Sequence, residues 1–252
     1  MPNLKRLEIF SVDSGVTNLL PGCPALKELM IMEITEDNLQ YMGVTIQSAT
    51  ITSLIIKNST VHTSECYGKV YGVKINLPQL RYPQIQGCLT NEIISQLPAS
   101  LAETDVSFKM NITTEEGCYY SECELYFIES LSNLKCLKFS SDKMHSENAN
   151  FRLREFIRFD NLTKLDISAD GVLVKKIIES ADNLEVIILR EVDVHLRDWL
   201  EPPKQVPRCL SSHLKKVRID NFASTMPEFE LLQYLIRNGR VLNKIEIISL
   251  TP

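Results

Sequence analysis

Residues 162–167 read Leu-Thr-Lys-Leu-Asp-Ile, residues 184–189 Leu-Glu-Val-Ile-Ile-Leu and residues 214–219 Leu-Lys-Lys-Val-Arg-Ile. Each is one copy of L-x-x-L-x-I with aliphatics interchangeable in the slots, and self-similarity of this kind decides a fold before local propensity does. Outward from these three, the triplet recurs as Leu4-Leu7-Ile9, Leu26-Leu29-Ile31, Ile51-Leu54-Ile56, Leu134-Leu137-Phe139 and Leu242-Ile245-Ile247. Two further copies are degenerate: Leu80-Pro83-Ile85 and Leu101-Thr104-Val106. A proline in the second slot removes a ladder donor and a threonine there buries a hydroxyl, so both are expected to be weak or irregular.

First slots fall at 4, 26, 51, 80, 101, 134, 162, 184, 214 and 242, a spacing centred on the roughly 20 to 29 residues of leucine-rich repeats. The expected fold is therefore α/β: a leucine-rich-repeat solenoid, or horseshoe, with a parallel concave sheet of about ten strands and helices and irregular segments on its convex side. Each buried slot residue contributes roughly 1.5–3 kcal/mol, and only a neighbouring repeat can cover it. Between strands, Ser121 and Glu124 suggest a capping box ahead of Leu125, Ile128 and Leu131. Val174, Ile177, Ile178 and Ala181 fall on one helical face. Pro227 and Glu228 suit a first turn before Leu231, Leu232, Leu235 and Ile236, with Gly239 at C′.

The 252 residues are 44% hydrophobic and 23% charged, which describes a globular chain able to bury a large core. The net charge of −5 argues against broad affinity for nucleic acid or anionic lipid. Lys5, Arg6, Glu8 and Asp13 interrupt the first twenty residues, which excludes a signal-peptide core, and no aliphatic run approaches the length of a membrane span. Seven cysteines at irregular spacing point to free thiols in a reducing compartment, so the expected location is cytoplasmic or nuclear.

Side chains alternate along a strand, so the residues flanking the second slot and following the third are expected on the open, concave sheet face. Over ten repeats these thirty positions hold eight basic and seven acidic residues: Arg6, Lys57, Lys138, Lys164, Arg190, Lys216, Arg218 and Lys244 against Glu8, Glu28, Glu103, Asp105, Asp166, Asp220 and Glu246. That balance does not suit a phosphate backbone. Phe10, Met30, Met32 and Ile55 gather on the first three strands, and an exposed apolar group of this kind marks a partner contact unless another segment covers it. Tyr82, Lys138, Arg190 and Arg218 complete the candidate partner-binding set.

No G-x-S-x-G, Walker loop, G-x-G-x-x-G or H-E-x-x-H string occurs, and Gly68 and Gly72 lack a following Lys-Ser/Thr. His62, His145, His195 and His213 are scattered singly, and Cys118 and Cys123 lack a second ligand pair. The expectation is no enzyme, no cofactor and no metal.

The run Trp199, Glu201-Pro202, Val206-Pro207, Cys209-Leu210, Asn221-Phe222 and Arg237-Asn238-Gly239 resembles, in that order, the FBD segment of plant F-box proteins. Cys23-Pro24-Ala25-Leu26-Lys27-Glu28-Leu29 resembles the C-P-x-L-x-x-L opening of the leucine-rich part of the same family. Ala223 stands where such proteins commonly carry glycine after the Ile219-x-x-Phe222 strand. The resemblance implies a leucine-rich-repeat region over 1–195 and an FBD segment over 196–252 that continues and caps the solenoid. It also implies a protein-interaction module like the substrate-receptor part of SCF-type ubiquitin ligase subunits, holding a protein on its concave face. Leu4 of the first triplet follows Met1 so closely that no F-box of about 40–50 residues fits before it, and a Skp-type adaptor is expected only for a longer form. Two alternatives remain: a truncated or degenerate paralogue that binds without passing its cargo on, and a small-molecule-binding solenoid with a ligand near Tyr82 and Lys138.

Overall fold

A computed structural model describes residues 1–10, 16–32, 44–58, 73–87, 95–96, 101, 103–108, 131–141, 158–193 and 206–249. The chain forms two compact units, Met1–Leu131 and Ser132–Pro252. In chain order the first holds β1 (Arg6–Ile9), α1 (Val16–Leu19), β2 (Glu28–Ile31), β3 (Val44–Gln47), β4 (Ser53–Asn58), β5 (Val73–Asn76), β6 (Tyr82–Gly87), β7 (Ser95–Gln96) and β8 (Glu103–Phe108). The second holds β9 (Cys136–Ser141), β10 (Lys164–Asp170), α2 (Gly171–Ser180), β11 (Val186–Asp193), α3 (Arg208–Ser212), β12 (Lys216–Phe222), α4 (Met226–Asn238) and β13 (Lys244–Ser249).

The second and third slots of every triplet lie on a strand, and the first slot just precedes it. In the first unit β1, β2, β4, β6 and β8 run parallel in that order, and in the second β9 to β13 do the same. The register matches slot to slot: Leu7 pairs with Leu29 and Leu29 with Leu54, while Leu137, Leu165, Ile187, Val217 and Ile245 form the corresponding row. Leu29, Leu54, Leu165, Ile187 and Val217 are fully buried.

One hydrogen-bond device recurs at the entry to the strands. The carbonyl of the residue after the first slot accepts two successive N–H groups from the next repeat: Lys5 O from Lys27 and Glu28, Lys27 O from Thr52 and Ser53, and Thr52 O from Arg81 and Tyr82. In the second unit Lys135, Thr163, Glu185 and Lys215 do the same at 2.8–3.1 Å. Thr163 adds its hydroxyl to Lys135 O at 3.1 Å.

Pro83 is accommodated. Tyr82 N–H donates to Thr52 O on the β4 side, so the donor missing at Pro83 falls on the β8 side, and pairing with β8 begins one residue later at Gln84–Asp105. The strand itself is continuous, with Pro83 opposite Leu54. Thr104 is 2% exposed and its hydroxyl has no hydrogen-bond partner, a buried orphan in an apolar slot.

The return side departs from the expectation of mostly helices. In the first unit β3, β5 and β7 form a second parallel sheet, with Ile46 and Ile75 fully buried. In the second unit the helices are present: α2 buries Val174, Ile177 and Ile178, and Ala181 beyond its end is also buried. On α4, Leu231 and Leu235 are buried whereas Ile236 is 54% exposed. Thr225 caps α4 in a reciprocal box, its hydroxyl accepting from Glu228 N–H while the Glu228 carboxylate accepts from Thr225 N–H at 2.8 Å. Gly239 is the C-cap residue with φ −79°, not a left-handed C′ glycine. A Cβ there would meet Leu235 O at 2.7 Å, so close packing is what requires glycine.

The left-handed positions near Ala223 are Asn221 (φ 57°) and Ser224 (φ 61°). Asn221 sits where the β12–β13 register shifts, and the bulge turns Phe222 inward onto Phe229, edge-to-face at 5.2 Å. The Ser121–Glu124 box, Trp199, Glu201, Pro202 and Pro203 lie outside the described residues. No helix among the described residues is long and apolar enough to cross a membrane.

Thr104→Val removes the orphaned hydroxyl without changing volume and should raise the urea midpoint by about 1 kcal/mol in stability. Leu165→Ala opens a cavity in a fully buried slot and should cost about 3 kcal/mol on the same measurement.

Candidate functional site

The alternation that buries the slots sends the flanking residues to the open sheet face. In the first unit this builds an apolar stripe. Met30 and Ile55 are direct register partners on β2 and β4, and Met32 follows Met30 along the same face. Phe10 follows β1, beside Met32, whose N–H bonds Ile9 O at 2.8 Å. Tyr82 pairs with Ser53, one step back along the strands from Ile55. The five residues thus run diagonally over β1, β2, β4 and β6, across roughly 20 Å at ~4.8 Å per strand and ~3.3 Å per residue. Phe10 is 71% and Tyr82 63% exposed, while Met30, Met32 and Ile55 are half-buried. On one flank Arg6 pairs with Glu8 at 2.6 Å and with Glu28 at 3.5 Å; on the other stand Lys57, Gln84 and Gln86.

Lys138, Arg190 and Arg218 belong to the second unit, where the open face is polar. Arg190 grips Asp166 with two hydrogen bonds, Nε to Oδ1 at 2.6 Å and Nη2 to Oδ2 at 2.8 Å, and reaches Asp220 at 3.4 Å. Arg218 Nε donates to Asp220 at 2.7 Å. Lys138 lies opposite Asp166 on β9 and is exposed. Asp166 and Asp220, expected on the open face but not in the partner-binding set, are the carboxylates that hold the two arginines, and strand register shows why. Asp166 is opposite Ile188, so Arg190 two residues further is its diagonal neighbour. Ser140, Ser168, Arg190, Glu191, Arg218, Asp220, Asn221 and Ile248 border an open depression of about 490 Å³.

Lys216 and Lys244 are also direct register partners, a like-charge pair that would repel. Glu246 stands between them, 2.8 Å from Lys216 Nζ and 2.6 Å from Lys244 Nζ, and their hydrogen bonds pull its pKa from 4.5 down to about 2. Behind the sheet the Cys209 thiol donates to Ile178 O at 3.3 Å, and burial pushes its pKa up to about 12, which leaves it an unreactive thiol. Cys23, Cys136 and Cys209 are free thiols; Cys66, Cys88, Cys118 and Cys123 lie outside the described residues. Among the described residues no group of three or more His, Cys, Asp or Glu side chains could hold a metal ion.

Because the folded Glu246 carboxyl titrates below its unfolded value, its contribution is present above pH 4.5 and is lost as the pH falls toward 2. Glu246→Gln should therefore flatten the acid limb of stability between those values, read as urea midpoints across a pH series.

Comparison with known proteins follows the same lines. The FBD family model matches residues 201–247. An FBD-associated F-box protein of Arabidopsis thaliana is 30% identical over 97% of this chain and 55% of the relative. A putative F-box/FBD/LRR-repeat protein of the same plant is 27% identical over 97% of the chain and 53% of the relative, and another F-box/FBD/LRR-repeat protein 24% identical over 98% and 57%. The chain spans about half the length of the relatives it matches. No solved structure matches. With a match to the FBD model over its last strands, the chain is similar along nearly all of its own length to plant F-box/FBD/LRR-repeat proteins.

Proposed function

We propose that this chain is a non-enzymatic protein-interaction module: a leucine-rich-repeat horseshoe whose concave face holds a protein, as the substrate-receptor part of an F-box ubiquitin ligase subunit would. The observation that carries it is the diagonal stripe of Phe10, Met32, Met30, Ile55 and Tyr82. Water on an apolar surface crossing four strands is costly, and a partner that covers it gains roughly 25 cal/mol per Å². Parallel sheets in α/β folds normally have both faces covered by their own chain. A repeat fold instead leaves one face open and uses it for recognition. Large amphipathic and flexible side chains such as Tyr82, Met30 and Met32 are what interface centres are enriched in. Residues 1–195 form the repeat region in this reading and 196–252 the FBD segment that ends it. A Skp-type adaptor is a partner in this reading only if an F-box is present in a longer form.

Met30→Glu with Met32→Glu places two charges at the centre of the stripe on half-exposed positions, leaving the slots untouched. Affinity purification from plant extract should recover proteins with the wild-type chain that this variant loses, the two having the same circular dichroism and thermal midpoint. Equal recovery by both would remove the stripe as the recognition surface.

A further inference from the structure

The even balance of charge over the thirty open positions conceals a segregation. Fifteen lie on β9 to β13, and they include Lys138, Lys164, Arg190, Lys216, Arg218 and Lys244 against only Asp166, Asp220 and Glu246. In a chain of net charge −5 this face is locally positive. Depth adds to the count. The Asp166 and Asp220 side chains are 10% and 11% exposed, whereas their partners Arg190 and Arg218 are 45% and 38% exposed. Glu246 at 29% lies below Lys244 at 58%. The Asp166 and Asp220 carboxylates are therefore more recessed than the guanidinium groups they hold, while Glu191 is an exposed carboxylate on the same face. Burial of the anionic member also removes much of the conformational freedom the guanidinium would otherwise lose on binding.

We propose that this face docks an acidic peptide segment of a partner protein, its carboxylates settling on the exposed cations as its backbone crosses the strands. The proposal rests on the protein-interaction reading above and names the chemistry of the partner. Five strands at ~4.8 Å span ~19 Å, which about six extended residues cover. The depression beside Arg190 and Arg218 is lined as well by Glu191, Asp220, Ser140, Ser168, Asn221 and aliphatic Ile248, so the peptide's carboxylates fall on the cations that flank it rather than within it. Nucleic acid fits less well, because none of the fifteen positions is aromatic and bases would find no stacking platform.

The test uses the full chain and fluorescein-labelled peptides of about eight residues, a length taken from that span. One alternates Asp or Glu with Ser, one has Asn and Gln in the acidic positions and one has Lys. A single-stranded RNA of matching length is the fourth probe. By fluorescence anisotropy the acidic peptide should bind at least tenfold more tightly than the neutral and basic ones, and weaken as salt rises from about 50 to 200 mM. Lys164→Glu alone should weaken it several-fold at an unchanged thermal midpoint, and Lys164→Glu with Lys244→Gln at least tenfold. Neutral and acidic peptides binding alike, or Lys164→Glu binding as wild type does, would overturn the proposal. RNA binding more tightly than the acidic peptide would overturn it in favour of nucleic acid. Capture that depends on Met30 and Met32 while no acidic peptide binds would sink this assignment and leave the interaction reading intact.

Discussion

In seven of the repeats the carbonyl of the residue after the first slot accepts two N–H groups from the following repeat, and the remaining architecture depends on this join. It fixes the register at the strand entry, so that the second and third slots of neighbouring repeats meet and exclude water. A shift of one residue would send every slot side chain to the open face, because the side-chain period along a strand is two. Hydrogen bonds contribute only about 1 kcal/mol each in net terms. Their value here is directional: they align apolar rows whose burial supplies most of the stability.

That alignment also creates the open sheet faces. Once Leu29, Leu54, Leu165 and Ile187 are committed inward, Met30, Ile55, Asp166 and Ile188 have no choice but the open side. Adjacent strands stand ~4.8 Å apart, so residues from distant parts of the chain become neighbours along a row. The apolar stripe of the first unit and the charge network of the second follow from the same geometry with different residues in the open positions. In the second unit Asp220 and Glu246 are each shared between cations on two strands, and Asp166 is held by two nitrogens of Arg190.

β13 lies at the edge of the sheet. Ile247 is 45% exposed, while its register partner Ile219 is 6% exposed. The capped helix α4 protects that end in part, with Leu231 and Leu235 buried beneath it and Phe229 against Phe222.

The ten triplets, their strands, the α2 and α4 stripes and the residues of both open faces were legible in the sequence, since each depends on spacing within a dozen residues. The sheet of β3, β5 and β7 was not, although Val44-Thr45-Ile46-Gln47 and Val73-Lys74-Ile75-Asn76 alternate as strands do, because runs of four with one fully buried isoleucine each are too short to outweigh a helical expectation. The orphaned Thr104 hydroxyl, the reason for Gly239 and the bulge at Asn221 also required the fold. The Asp166–Arg190 and Lys216–Glu246–Lys244 groupings join residues 24 and 30 positions apart. Periodicity determines which way a side chain faces; which charge it meets there is decided only when strands are laid side by side, since strength of pairing depends on distance across the sheet and not along the chain.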